Sequence, residues 1–210
     1  MNHIFETLFG QYRGYETLDI VLEIIAIFFG FLSVWFSKAN KIWVFPTGMI
    51  STVIFVYLLL KWSLLGDMLI NAYYFIMSVY GWYIWTRKVD PTHFTPITTT
   101  TKKEKTYSVF IFVATLLFVF IVYKVFDKWN HWTAYVDTLT TAIFFVGMWL
   151  MAKRKIENWI YWIIGDLISV PLYFYKGFTF TSIQYFIFTV IAIFGYIEWK
   201  KYLHNKLQTA

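Results

Sequence analysis

Three side chains in the sixth apolar segment of the chain have the types and spacing of a binding site. Trp159, Trp162 and Asp166 follow one another at intervals of three and four positions, which places them on one face of a helix. Polar groups in a membrane span are costly, so each is a candidate functional group. Aromatic faces attract cations, by roughly 2 kcal/mol when the pair is desolvated, and a carboxylate adds charge attraction. The pattern therefore indicates a site for a small, flat, cationic ligand.

Amide and phenol groups in other segments could add hydrogen bonds to such a ligand. Asn71 and Tyr74 share a helix face in the third segment, and Gln184 and Tyr185 lie in the seventh. Asn158 opens the sixth segment, where an interpretation as a helix cap has equal weight. The candidate substrate-binding residues are thus Trp159, Trp162, Asp166, Asn71, Tyr74, Gln184, Asn158 and Tyr185.

Residues that usually carry out reactions are not arranged for catalysis. The four histidines all fall in termini or loops, and none is paired at the spacing of a helical metal site. Cysteine is absent, which excludes disulfides and thiolate chemistry. The chain also contains no phosphate-binding loop and no serine-nucleophile motif. We therefore predict a transporter that is not an enzyme and uses no metal or cofactor. A membrane receptor or scaffold is the alternative of another class, and a channel is a further one.

The composition places these residues in a membrane protein. Hydrophobic residues make up 59% of the 210 residues and charged residues only 14%, whereas a soluble domain has about 25% charged residues. A transmembrane helix needs about 20 mostly apolar residues. The predicted fold is an all-α polytopic membrane protein with seven transmembrane helices. These are expected at 18–36, 42–60, 64–85, 107–126, 132–152, 158–175 and 178–199.

An internal repeat relates the first three segments to the last three. Matching pairs occur in the same order in both halves: Trp35 with Trp149, Asn40 with Asn158, Gly81 with Gly195, and Trp85 with Trp199. Two parallel three-helix repeats joined by a central helix, a 3+1+3 arrangement, explain this order. Such units can rock against each other around a solute held near the midplane. The alternative is that duplication only produced a larger bundle.

The repeat and the polar stretches divide the chain into six parts. We predict an N-terminal interfacial segment at 1–17, a first three-helix repeat at 18–86, a cytoplasmic linker at 87–106, a joining helix at 107–126, a second three-helix repeat at 132–200 and a cytoplasmic tail at 201–210.

The basic residues predict an orientation in the membrane. Thirteen of the 18 Lys and Arg residues flank one side of the predicted spans. The positive-inside rule places that side in the cytoplasm, with the N-terminus outside and the C-terminus inside. Orientation in the lipid bilayer therefore explains the net charge of +6, and no nucleic-acid partner is expected. Trp85 and Trp199, near span ends, are expected to belong to the interfacial aromatic belt.

At these residues the chain resembles the PnuC family of vitamin transporters. The similarity is closest at Asn158-Trp159-Ile160-Tyr161-Trp162, then at Asp166, Pro171-Leu172-Tyr173 and Lys176-Gly177. Tyr80-Gly81-Trp82 at the end of the third span also looks like the family, and the resemblance covers residues 18 to 202.

The resemblance implies a fold distantly related to SWEET sugar transporters and a place in the bacterial plasma membrane. It implies uptake of the vitamin nicotinamide riboside, a precursor of NAD, by facilitated diffusion with alternating access. A separate cytosolic kinase then phosphorylates the substrate. A homo-oligomer is expected, with a trimer as one candidate.

The resemblance also implies roles for individual residues. In the family, both tryptophans of the sixth-span motif contact the ligand, and they match Trp159 and Trp162. Amides of the third and seventh spans do likewise, and Gln184 matches the seventh-span position. Asn71 and Tyr74 stand where a glutamine is expected in the third span. That departure leaves thiamine, a cationic heterocycle carried by some relatives, as the alternative substrate.

Overall fold

The described part of the chain folds into seven α-helices. The computed structural model describes residues 16–61, 65–88, 95–176 and 179–208, so most of the predicted segment 1–17 lies outside the described residues. The helices are α1 (Thr17–Lys38), α2 (Val44–Lys61), α3 (Leu65–Thr86), α4 (Lys102–Val125), α5 (Thr133–Ala152), α6 (Asn158–Tyr175) and α7 (Thr179–Gln208). All of α1, α2, α4, α5 and α7 are long and apolar enough to cross a membrane. The other two, α3 and α6, contain the predicted polar and aromatic site residues, which lower their mean hydropathy.

The two three-helix units match in a single register of 114 positions. The helices α2 and α6 begin at Val44 and Asn158, and α1 and α5 end at Lys38 and Ala152. Asn158 therefore corresponds to Val44, and the predicted pairing of Asn40 with Asn158 is wrong. Asn40 corresponds instead to Arg154, which is 114 positions away. Both residues adopt left-handed backbone, with φ of 54° and 58°, in the turn before the second helix of their unit.

Helix packing follows the 3+1+3 order. Within the units, α2 packs between α1 and α3, and α6 packs between α5 and α7. Between the units, α1 contacts α7 and α3 contacts α5, which are equivalent contacts under the repeat. The joining helix α4 lies mainly against α5. Contacts of α3 with α5, of α5 with α6 and of α6 with α7 therefore bring helices of both units together.

Reciprocal hydrogen bonds join the two units at one end of the bundle. The indole Nε1 of Trp85 donates to the Met151 carbonyl at 3.1 Å, and that of Trp199 donates to the Ser37 carbonyl at 3.1 Å. Ser37 Oγ also donates to Met151 Sδ at 3.3 Å. We call Ser37, Trp85, Met151 and Trp199 the tryptophan latch. Ser37 and Met151 lie in the last turns of α1 and α5, where carbonyl groups lack intrahelical partners.

The latch overturns the aromatic-belt prediction for its two tryptophans. Trp85 and Trp199 are only 3% and 0% exposed, so neither side chain lies at a lipid interface. Each indole N–H instead has a carbonyl partner from the other unit. A tryptophan near a span end can thus be buried and bond to a free carbonyl when a neighbouring helix ends beside it.

Two glycines make room for the aromatic rings that pack against the latch tryptophans. A Cβ at Gly81 would lie 2.3 Å from Phe45 Cε1, and one at Gly195 would lie 2.6 Å from Trp159 Cζ2. Phe45 packs edge-on against Trp85, with ring centroids 5.0 Å apart, and Trp159 packs edge-on against Trp199 at 5.6 Å. The repeated glycine of the sequence is therefore explained by close helix packing.

Residues 95–101 of the predicted linker lie along the turn between α5 and α6. Thr98 N–H donates to the Arg154 carbonyl at 3.2 Å, and Ile156 N–H donates to the Thr98 carbonyl at 3.0 Å. The following helix α4 begins at Lys102 rather than at Tyr107, because Thr101 and Glu104 form a capping box that stabilises its polar first turn.

Arg154 connects this turn to the first unit. Its Nε and Nη2 donate to Asn40 Oδ1 at 3.2 and 2.7 Å, and its Nη1 donates to the Thr95 carbonyl. The guanidinium lies 4.4 Å from the centroid of the Trp85 ring, a cation–π contact. Burial lowers the pKa of Arg154 to about 10, so the side chain stays protonated at neutral pH.

Replacement of Arg154 by alanine should reduce the free energy of unfolding by about 2–4 kcal/mol, because the Asn40 and Thr95 oxygens lose a charged donor. Arg154→Lys should not restore stability, since an ammonium cannot reproduce the planar guanidinium geometry. Thermal unfolding of the purified protein would measure both effects. Arg87→Ala, at an exposed position, is the matched control. Equal melting temperatures for Arg154→Ala and Arg87→Ala would contradict the assigned role.

Ion pairs at the opposite end of the bundle lie within the units. Lys61 at the end of α2 contacts Asp19 of α1 at 2.9 Å, and Lys176 after α6 contacts Asp137 of α5 at 2.6 Å. These pairs hold the first and second helices of each unit together. In contrast, the latch and Arg154 connect one unit to the other, so the described contacts close the bundle at the latch end.

Candidate functional site

Aromatic side chains from four helices meet between the two units. They come from α3, α5, α6 and α7, and we call them the central aromatic cluster: Tyr73, Tyr74, Phe144, Phe145, Trp162, Tyr173 and Tyr185. The cluster combines flat faces with several phenol groups. It can therefore offer both stacking surfaces and hydrogen bonds to a planar ligand.

One part of the cluster connects the units through α3 and α5. The Tyr73 ring stacks on Phe145, with centroids 3.8 Å apart and planes at 8°. Its hydroxyl donates to the Phe145 carbonyl at 3.0 Å. The neighbouring Tyr74 ring lies 5.9 Å from Phe145. Tyr73 is therefore engaged in holding the units together, whereas the structure shows no hydrogen bond of the Tyr74 hydroxyl among the described residues.

The other part of the cluster belongs to the second unit. Phe144 stacks against Trp162 at a centroid distance of 5.5 Å and lies nearly parallel to Tyr185 at 6.0 Å and 7°. The Tyr173 ring lies 5.1 Å from the Tyr185 ring. Trp162 is half-buried, so part of this residue remains accessible.

Asp166 supplies the acidic group of this region. It is 3% exposed and follows Trp162 by one helical turn on the same face of α6. Its carboxylate lies near enough to the Tyr74 and Tyr185 hydroxyls to interact with them electrostatically. No described side chain forms an ion pair or hydrogen bond with it. A buried carboxylate without a partner is costly, and a bound cation would offset that cost.

The structure brings together some of the predicted site residues. Trp162, Asp166, Tyr74 and Tyr185 all lie in or beside the central aromatic cluster. The roles of these residues in binding stay predictions. Their proximity means that one ligand could contact all of them.

Two other predicted site residues lie nearer the latch. Trp159 is 2% exposed and packs against Gly195 and Trp199. Asn158 Nδ2 donates to the Lys155 carbonyl at 2.6 Å. The capping interpretation is wrong for Asn158, because Glu157 occupies the N-cap position and no side chain accepts a backbone N–H of α6 there. The Trp159 Nε1 and Asn158 Oδ1 atoms are buried and have no hydrogen-bond partner among the described residues. In this conformation Trp159 packs against the latch, whereas Asn158 bonds within the turn before α6.

The structure shows no hydrogen bond between the predicted amides, Asn71 and Gln184, among the described residues. Asn71 Nδ2 donates to the Asp67 carbonyl on the same helix at 3.0 Å. Asn71 and Gln184 are half-buried. In the structural register Asn71 corresponds to Tyr185, which is the neighbour of Gln184 in sequence. A direct role of either amide in ligand binding stays a prediction.

Sequence reasoning missed Phe144 and Phe145. Both lie in α5, where a phenylalanine in an apolar span gives no sign of whether it faces lipid or the interior. A usable signal was the glycine at 165, because a Cβ there would lie 2.3 Å from Phe144 Cε1. A glycine inside a transmembrane helix often marks a place where a neighbouring group packs closely.

Comparison with known proteins gives a consistent result over almost the whole chain. Residues 20–201 match the family described as nicotinamide mononucleotide transporter. The chain is 23% identical to the nicotinamide riboside transporter PnuC of Escherichia coli (strain K12), over 85% of this chain and 84% of the relative. It is 22% identical to the riboflavin/roseoflavin transporter RibM of Streptomyces davaonensis, over 84% of this chain and 83% of the relative.

A solved structure shows the same fold. The crystal structure of the vitamin B3 transporter PnuC aligns with 97% of this chain and 88% of its own chain, with a TM-score of 0.66 and 21% identity. This likeness confirms the predicted seven-helix membrane architecture. The relatives are transporters rather than enzymes, which agrees with the prediction from the sequence. Because the family match spans residues 20–201, this chain belongs to the nicotinamide mononucleotide transporter family.

Proposed function

We propose that this chain carries a small cationic vitamin across the bacterial plasma membrane, with nicotinamide riboside as the first candidate substrate. The supporting observation is Asp166, buried and without a described ion-pair partner, one helical turn from the stacking surface of Trp162. Nicotinamide riboside combines a flat, positively charged ring with hydroxyl groups. It would supply the partner that the carboxylate lacks and would use the phenols of the cluster.

Charge separates the candidate substrates into two groups. Thiamine also has a cationic ring and a hydroxyl, so it stays the second candidate. Riboflavin, named for one relative, has a larger ring system and is uncharged at neutral pH. A neutral ligand would leave Asp166 unpaired, and the site therefore favours a cation.

The proposed mechanism is facilitated diffusion with alternating access. The two units are joined across the latch end, while the ion pairs at the opposite end lie within units. Movement of one unit relative to the other could therefore open the latch end without breaking the ion pairs. We place the latch end in the cytoplasm, where it carries most of the basic residues. The sequence contains no nucleotide-binding motif, so uptake runs downhill and a separate kinase retains the substrate.

The transport proposal predicts saturable counterflow in proteoliposomes. Vesicles preloaded with unlabelled nicotinamide riboside should take up the labelled compound faster than empty vesicles, since a carrier returns loaded. Thiamine and riboflavin as competitors would rank the three vitamins. A receptor would bind without net flux, and a channel would give no counterflow. Accumulation of unmodified vitamin above its external concentration, with no imposed gradient, would contradict downhill transport.

Asp166→Asn tests the charge argument within the same assay. Removal of the carboxylate should weaken binding of nicotinamide riboside by on the order of tenfold or more, because a desolvated charge pair is lost. Binding of neutral riboflavin, where detectable, should change little. Asp19→Asn, which removes an acidic group remote from the site, is the control. An unchanged preference for the cationic vitamin in Asp166→Asn would overturn the assigned role.

A further inference from the structure

The second unit contains an aromatic side chain where the first unit has none. In the first unit, Gly30 of α1 faces Ser51 of α2, and a Cβ at Gly30 would lie 3.2 Å from Ser51 Oγ. The equivalent contact in the second unit, 114 positions later, pairs Phe144 of α5 with Gly165 of α6. A Cβ at Gly165 would lie only 2.3 Å from Phe144 Cε1. At this helix crossing, the first unit thus has a glycine facing a serine, whereas the second unit has a phenylalanine ring packed against a glycine.

A second contact between the same helices shows the same exchange. In the first unit, a Cβ at Gly48 would lie 3.0 Å from Ser33 Oγ. In the second unit, a Cβ at Gly147 would lie 3.5 Å from Trp162 Cε2. Phe144 and Trp162 of the second unit therefore each pack against a glycine of the facing helix. The first unit has small residues at all four equivalent positions.

The phenyl ring of Phe144 is tightly held in this arrangement. It is 7% exposed, is backed by Gly165, and lies between Trp162 and Tyr185. A Cβ at position 165 would overlap the Phe144 ring, so any side chain there would displace the ring from its contact with Trp162. The position of Phe144 therefore controls how much room remains beside the indole.

We propose that Phe144, positioned by Gly165, is a specificity-determining residue that limits the size of the ring system accepted beside Trp162. This inference rests on the proposed function, since it assigns a size limit to the same site. The Phe144 ring leaves room for the single aromatic ring of nicotinamide riboside and hinders the three fused rings of riboflavin. Within one family, a change at this contact would then separate carriers of small vitamins from carriers of large ones.

The test is calorimetry on the purified full chain, with nicotinamide riboside and riboflavin as the probes. Phe144→Leu shortens the side chain and keeps it apolar, so folding should be preserved. It should raise the affinity for riboflavin relative to nicotinamide riboside by about tenfold or more, within the range that pocket size alone can supply. Gly165→Ala should lower the affinity for nicotinamide riboside, because the added methyl displaces the phenyl ring.

Gly30→Ala is the matched control, since it adds a methyl group at the equivalent contact of the first unit. It should leave the affinity ratio of the two vitamins unchanged. A folded Phe144→Leu protein with the parental ratio would overturn the inference, even if nicotinamide riboside binds the parent well. Failure of the parent to bind any of the cationic vitamins would instead refute the proposed function, and the size-limit inference with it.

Discussion

Replacement of Trp162 by alanine should weaken binding of nicotinamide riboside by roughly tenfold to a hundredfold. Trp162 is half-buried and lies one helical turn from Asp166. Its removal takes away a stacking surface and a cation–π contact, which together correspond to about 1–3 kcal/mol. Trp162→Phe should recover part of the affinity, because an aromatic face remains while its attraction for a cation weakens. Calorimetry on purified protein, with nicotinamide riboside and thiamine, would measure both variants.

The control for this experiment must be a tryptophan outside the interior. Trp199 is unsuitable because it is 0% exposed and donates a hydrogen bond to the other unit. Trp43 is 60% exposed, so Trp43→Ala should leave vitamin affinity unchanged. If Trp162→Ala binds as tightly as the parent, the site assignment is wrong. If neither vitamin binds the parent, the inferred substrate is wrong while the membrane architecture stands.

Much of the architecture could be predicted because it follows from local sequence. Long apolar segments predict membrane helices regardless of their neighbours, and the spacing of Trp162 and Asp166 places them on one helix face without any tertiary information. The glycine and tryptophan pairs at the ends of α3 and α7 reveal the repeat for the same reason. These features depend on residues close in sequence.

Features that depend on neighbouring helices could not be predicted from one segment. Trp85 and Trp199 occupy positions typical of the aromatic belt, and only the ends of α1 and α5 beside them turn these residues inward. Phe144 likewise looks the same in sequence whether it faces lipid or Tyr185. The pairing of Asn40 with Asn158 is wrong because it matches residues by type and not by their position before the second helix of each unit. The shared left-handed backbone of Asn40 and Arg154 identifies the true register.

The two hydrogen bonds of the latch should hold this end of the bundle closed only weakly, so that it can open reversibly. Each unit donates one indole N–H to a carbonyl of the other, so both bonds must break when the units separate at this end. A typical hydrogen bond contributes about 1 kcal/mol net. The two indole bonds act together with the Arg154–Asn40 hydrogen bonds at the same end, so they supply part of the closure, and ligand binding must offset the whole of it for transport to proceed.

Removal of both indole N–H groups should therefore expose the latch to solvent. In a Trp85→Phe, Trp199→Phe double variant a smaller aromatic ring stays at each position, but the two N–H donors and about 2 kcal/mol of closure are lost, which corresponds to roughly a thirtyfold rise in the open population. The chain has no cysteine, so a single Ser37→Cys substitution reports on this region. Ser37 is 3% exposed, and its labelling by a thiol reagent should require opening. In detergent, the double variant should label about thirty times faster than the Ser37→Cys parent, and each single variant about five times faster.

Trp43→Phe in the same Ser37→Cys background is the control, because that indole is exposed and lies outside the latch. It should label at the parental rate. Thermal unfolding of each variant would separate gate opening from global destabilisation, since an unfolding-driven rise would follow the melting temperature. If the double variant keeps both its melting temperature and the parental labelling rate, the latch does not control access at this end. If it labels faster at an unchanged melting temperature, the two hydrogen bonds close the gate, and counterflow by the same variant should change in rate while vitamin affinity at Trp162 is retained.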